Sequence, residues 1–474
     1  MKHSKFKFID LFAGIGGFHH AMHELGGECV MTCEFDPECQ KTYRHSFKGA
    51  GKNYPLISNI REITRNDIND ELSLKTAEEI SEIVPDHDVL CGGFPCQPFS
   101  KSGEQLGIKD KTRGTLFFDI IQILEAKRPK FFFLENVRNL AGPRHVETWK
   151  TIIEALRNLD YVVSDEPLIF SPHLLAPELG GAPQVRERVF IFGVRKDFES
   201  DNLLNIATFN SYLRQNAYWN PNNWRISSIL DNDDSIKNIE KFNISSDESV
   251  YLEAWDFFVQ NITIDTLPGF PIWAFAFKAS PEINDSMPNW KKSFLLKNSI
   301  FYNENKKFID SFLKMKWGTN KVTILEFPYS RQILEWQARK HHSSRKGRTL
   351  QDLVIQFRPS GIRVKPPTYL PALVAITQTS VVGPKLRKGA TTYRKLTPVE
   401  ACRLQGIPDF VYKDDIVQDR FAYKQLGNAV NVGIVKSAAA VFMGLHFYEP
   451  KFFNDQMTIE IEDDEAEFES IDGE

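Results

Sequence analysis

Between residues 5 and 196, short apolar runs alternate with stretches in which apolar positions recur every three to four residues. The runs at 5–12, 28–35, 88–92, 130–137 and 188–195 read as strands, and 18–26, 37–47, 69–84, 115–127 and 144–159 as helices. Apolar strands separated by amphipathic helices belong to a sheet covered on both faces, so an α/β domain with a doubly wound, mostly parallel sheet is expected. Beyond residue 197 the period is lost. An acidic, Asn-rich stretch at 231–256 precedes segments rich in Trp and Phe; a strongly basic stretch at 331–348 and sequence punctuated by Gly and Pro follow. A second, smaller, irregular domain is predicted there. The stretch 430–447 reads as a helix that packs back on the first sheet. The expected division is 1–196 with 416–450, then 197–415, with 451–474 as a tail.

Charge changes this picture once it is divided along the chain. The formal net charge is -4, but residues 460–474 hold nine acidic and no basic residues, leaving +5 on the rest. Such a tail is too polar to fold, and the remainder suits a polyanionic partner. Six cysteines, Cys29, Cys33, Cys39, Cys91, Cys96 and Cys402, form no disulfide framework in so long a chain. They lack CxxC spacing, so no metal is expected. The N-terminus has no apolar signal core and no apolar stretch is long enough to span a bilayer, so a cytoplasmic, membrane-free protein is expected.

Candidate chemistry sits where the predicted strands end. DLFAGIGG (residues 10–17) follows the first strand; glycines there let a ligand approach the backbone, although a tight turn alone has the same composition. Glu34 ends the next strand, where a carboxylate can hold ribose hydroxyls. GGFPCQPFS (92–100) fixes Cys96 between two prolines at the end of a third strand. A nucleophilic thiol requires electropositive neighbours, because a free one is mostly protonated at neutral pH. QVRER (184–188) offers Arg186 and Arg188, although an isolated RER is equally a solvated charge run. Glu135 in ENV (135–137) ends a buried strand, where burial raises a carboxyl pKa and suits it to hold a proton.

In this order, with RKLTPVEACRLQGIP and QLGNAVNVGIV at 394–435, these motifs resemble the cytosine-C5 DNA methyltransferases of bacterial restriction-modification systems. The resemblance covers 8–195 and 394–435. It implies an S-adenosyl-L-methionine-dependent methyltransferase fold and a target-recognition domain at 197–415. It also implies double-stranded DNA as partner, functional pairing with a restriction endonuclease, and a monomer in the bacterial cytoplasm. Cys96 is then the nucleophile that attacks C6 of a flipped cytosine, with Glu135 at N3 and Arg188 and Arg186 at the base or the carboxylate. Phe12 stacks on the cofactor's adenine, Glu34 holds its ribose, Gly14, Gly16 and Pro95 line its site, and Asn428 closes it. Where the family has an Asp-Ile pair at the adenine amino group, this chain has Asn59 and Ile60, and the Asn carbonyl can accept the same bond.

Sequence choice is expected from 325–395. Arg339, Lys340, Arg345, Lys346 and Arg348 suit phosphates, and residues 358–363 and 377–380 suit base edges; a solvated basic face is the alternative. Rival readings are an RNA cytosine-C5 methyltransferase of the same fold, against which the lack of Cys-Phe-Thr counts, and a non-catalytic DNA-binding relative.

Overall fold

A computed structural model describes residues 6–95, 115–198, 219–373, 380–413 and 416–444. Cys96, residues 377–379 and the acidic tail lie outside the described residues. The first sheet is built from β1 (Phe6–Leu11), β2 (Gly27–Cys33), β3 (Leu56–Ile57), β4 (Val89–Gly93), β5 (Phe131–Val137), β6 (Tyr161–Val163) and β7 (Leu168–Phe170). The short β8 (Gln184–Val185) lies apart from it, and β9 (Arg188–Arg195) completes it. Its order is β3-β2-β1-β4-β5-β9-β6, with β7 also on β9. The strands run parallel from β3 to β5, whereas β9 is antiparallel to β5, β6 and β7. No crossover helix lies between β7 and β9, so the return strand cannot run parallel.

Period-two alternation gives this sheet two apolar faces. Phe8, Cys91, Phe133 and Phe192 pack with the helices Gly17–Glu24, Pro398–Gln405 and Val432–Phe442. Ile9, Leu90, Phe132 and Leu134 pack with Leu116–Lys127 and Val146–Arg157 on the other face. The sheet is therefore doubly wound. The helix expected over 69–84 is shorter, Ala77–Ile83. Asp67 and Asp70 accept backbone N–H groups two residues on at 2.9 and 2.8 Å, a local alternative to helix, and the helix starts at a Thr76–Glu79 capping box.

The second domain is organised on a sheet of short strands. The strands β10 (Ile272–Trp273), β11 (Ile333–Trp336), β12 (Val354–Arg358) and β13 (Gly361–Lys365) join β15 (Val381–Val382) and β16 (Arg394–Lys395) in the order β10-β11-β13-β12-β15-β16. Between β13 and β15, β14 (Leu370–Pro371) leaves this sheet and pairs in parallel with β8. The helix Ser246–Asn261 buries Leu252, Trp255, Phe258 and Val259 against Leu334, Ile355, Ile362 and Val364. Its buried face also contains Asp256, which accepts from Thr349 Oγ1 at 2.9 Å and the Leu350 N–H at 2.7 Å. That internal acid, in an acidic stretch, hides the apolar stripe from a periodicity reading. Leu396, Ala401, Cys402 and Leu404 share the apolar cluster of β1, so the core changes ahead of helix Pro398–Gln405.

Candidate functional site

The chain leaves β1 for β2 on one side and returns to β4 on the other, so a crevice opens where the ends of β1 and β4 diverge. Both glycine-containing motifs lie there. Phe12 and Gly14 adopt left-handed backbone, with φ of 56° and 55°. A Cβ on Gly14 would meet nothing within 4 Å, so the turn faces open space; at Gly16 it would lie 2.2 Å from Phe47, so that glycine serves packing. Glu34 receives the Gly14 N–H at Oε2 and the Asp36 N–H at Oε1, both at 2.7 Å. Each carboxylate oxygen keeps a further lone pair for a ligand hydroxyl. Burial raises the Glu34 pKa, and burial followed by the nearby Glu34 charge raises that of Asp10. Phe12 is half-buried, while Phe35 next to Glu34 is 75% exposed.

Asn59 is the N-cap of helix Ile60–Thr64, and its Oδ1 accepts the Arg61 N–H at 3.0 Å. The Asn59 side chain also accepts from the Glu62 N–H in a capping box, so it is engaged twice at the start of its own helix, and Ile60 is buried in the core. Asn428 is exposed at the end of helix Asp419–Asn428.

The second half of the site stands on β4 and β5. Register sets Gly93 opposite Glu135, and a Cβ on Gly93 would lie 3.5 Å from Glu135 Oε2. Asn136 donates from Nδ2 to the Phe94 carbonyl at 2.8 Å, holding the chain where it leaves β4 ahead of the exposed Pro95. The ENV motif contained this residue, but the sequence reading assigned only its carboxylate. Arg188 Nε lies 3.0 Å from Glu135 Oε1. Burial raises the Glu135 pKa against the opposing pull of Arg188 and then Arg186.

Arg186 departs from the expectation that it meets the base. It is 2% exposed, and burial lowers its pKa to about 9. Its guanidinium donates to the carbonyls of Gly427 at 2.9 Å, Ala429 at 2.7 Å and Leu373 at 3.3 Å. It therefore ties β8 and β9 to the segment that carries Asn428, and it is a positioning residue.

Arg348 also leaves the expected basic surface. It is 1% exposed and donates to the carbonyls of Val259, Ile262, Ile264 and Asp265, closing the C-terminal end of Ser246–Asn261. Arg339, Lys340, Arg345 and Lys346 remain exposed. Metal-ligand atoms of His341, His342 and Asp352 come within 4.8 Å of one another, but the basic stretch around the histidines opposes a cation.

The C-5 cytosine-specific DNA methylase model matches residues 6–443. The chain belongs to that family. It is 38% identical to the Type II methyltransferase M.AluI of Cellulosimicrobium cellulans over 91% of each chain. It is 32% identical to M.BanI of Aneurinibacillus aneurinilyticus over 91% of this chain and 94% of that one. With M.HpaII of Haemophilus parainfluenzae it shares 42% identity over 40% of this chain and 47% of the relative. Its first sheet is accordingly that of an α/β methyltransferase, and the chain is an enzyme of DNA cytosine-C5 methylation.

Proposed function

We propose that this C-5 cytosine-specific DNA methylase modifies a cytosine within a short duplex sequence, using S-adenosylmethionine, as the modification enzyme of a restriction-modification system. The carrying observation is the juxtaposition of Glu135, Arg188 and the Gly93–Pro95 turn at the same sheet edge as the Gly14–Glu34 crevice. The crevice fits an adenosine-containing cofactor: Gly14 faces open space, Glu34 retains acceptor capacity for ribose hydroxyls, and Phe12 offers a half-buried ring. Bound there, S-adenosylmethionine supplies an electrophilic methyl group.

In this reading the target base leaves the duplex, at a cost of a few kcal/mol, and enters the pocket beneath Glu135. The Cys96 thiolate attacks C6. Glu135, whose pKa is raised by burial, hydrogen-bonds N3 and offsets the charge that develops on the ring. C5 thereby becomes the nucleophile, and after methylation the C5 proton is lost and Cys96 is expelled. Arg188 orients Glu135; Asn136 holds the Phe94 carbonyl at the end of β4; Arg186 holds the segment that carries Asn428.

The apolar clusters support a catalytic domain formed by the first sheet with residues from Leu396 onward, and a target-recognition unit between them. Among the described residues no helix is long and apolar enough to cross a membrane. Bisulfite sequencing of DNA from cells expressing the protein tests the proposal: protected cytosines within one short motif are expected, and an unmodified genome contradicts it.

A further inference from the structure

The outer face of the second sheet carries side chains used neither by the crevice nor by the Glu135 pocket. Register places Glu335 of β11 beside Arg363 of β13, and Arg363 beside Gln356 of β12, in one lateral row. Their neighbours Leu334, Ile362, Val364 and Ile355 point into the apolar core, so alternation leaves Gln337, Arg358 and Lys365 on the same outer face. Glu335 Oε2 accepts from Arg358 Nη1 and Arg363 Nε, both at 3.0 Å, and the three side chains stay 22–30% exposed. Gln356 Oε1 has no hydrogen-bond partner among the described residues.

This face is linked by contacts to the segment that precedes Arg188. Lys365 Nζ lies 5.3 Å from the centre of the Tyr369 ring, and Tyr369 packs on His173 at 5.3 Å. His173 feels the charges of Lys365 and Glu187, and Glu187 immediately precedes Arg188, the partner of Glu135. The pairing of β14 with β8 secures the same junction.

We infer that this sheet face reads base edges in the DNA, with Arg358 and Arg363 presenting guanidinium forks to guanines and Glu335 fixing both forks. The inference rests on the duplex-DNA reading above. The central carboxylate distinguishes reading from simple attraction. A surface for phosphates gains nothing from an acid among its cations, whereas a fork that must match O6 and N7 of guanine gains a fixed orientation. The run containing Arg339, Lys340, Arg345 and Lys346 has no acid within it and has the composition of a phosphate surface.

The test is methylation of a randomised duplex library by the full-length protein with its cofactor, read by bisulfite sequencing. Competition binding to the preferred duplex and to single-base variants accompanies it. Arg363→Ala is expected to lose about tenfold or more of the discrimination at one base pair. Arg363→Lys, which keeps the charge without the fork and serves if the alanine variant does not fold, should relax the same position. Glu335→Gln should relax the positions read by both arginines. Unchanged preference in the lysine and Glu335 variants, with affinity falling equally for all duplexes, would overturn the inference and leave the enzyme's activity established. A wild-type protein that methylates no library member would overturn the duplex-DNA reading as well.

Discussion

Two carboxylates in this molecule each stand beside a pair of arginines, and the two clusters are built differently. Around Glu135, Arg186 donates from Nη1 and Nη2 to main-chain carbonyls and only Arg188 reaches the carboxylate, which is 8% exposed. Around Glu335 both Arg358 and Arg363 bond the same oxygen, and all three groups remain partly open to solvent. Burial at Glu135 disfavours its charge, which suits a group that must hold a proton. Partial exposure at Glu335 leaves paired arginines able to meet an incoming partner. In the roles proposed above, the same residue types serve chemistry in one sheet and recognition in the other, and depth separates the two.

The sharpest way to break this comparison is to remove the buried acid. Glu135→Gln should lower kcat by about 10²–10⁴-fold, the range for a lost proton-transfer group. Single-turnover methylation at saturating DNA measures it, and a loss below about tenfold would remove Glu135 from the chemistry. Next in size is the division of labour between its two arginines. Arg186→Ala leaves buried carbonyls of Gly427 and Ala429 unpaired and should cost about 3 kcal/mol of unfolding free energy. Arg188→Ala should spare stability and depress kcat. Urea unfolding beside kinetics separates them, and equal losses of stability would erase the distinction.

Smaller effects sharpen the picture of the first sheet. Glu34→Ala should weaken S-adenosylmethionine binding about tenfold or more while sparing the step at the base, because Glu34 orders the Gly14 turn and lies apart from Glu135. Calorimetry showing unchanged affinity would contradict this. The smallest expected effect is on stability against pH. Burial lowers the pKa of His20, His87 and His173 to about 4. Between the ordinary value of 6.5 and about 4 the unfolded chain binds more protons at these three histidines than the folded one does, so each contributes a loss of stability as pH drops through that window. His87→Asn should flatten the slope; an unchanged slope would show that His87 does not contribute.

The first sheet was legible because its signals are local: apolar runs mark buried strands, and β9 matches its expected limits of 188–195. The positions of Gly14, Glu34 and Glu135 followed for the same reason, since each lies near or just past the C-terminal end of a strand of the first sheet. Partners supplied from a distance were not readable. Arg186 finds its acceptors at 373, 427 and 429, and Arg348 caps a helix that ends at 261, so neither role is written near the residue itself. The sheet of the second domain was not readable because its strands are short and its first long helix buries an aspartate. The row Glu335–Arg363–Gln356 exists only through strand register, which composition does not encode.

The central claim is that Cys96 makes a covalent bond to the target cytosine. Duplex DNA carrying 5-fluorocytosine tests it directly, because fluorine at C5 cannot leave as the proton does and the thioether to C6 persists. With S-adenosylmethionine, the wild-type protein is expected to form an adduct that survives denaturing electrophoresis, and Cys96→Ser to form none. A wild-type protein that leaves no adduct on DNA it methylates, or a serine variant that forms as much, would contradict the account.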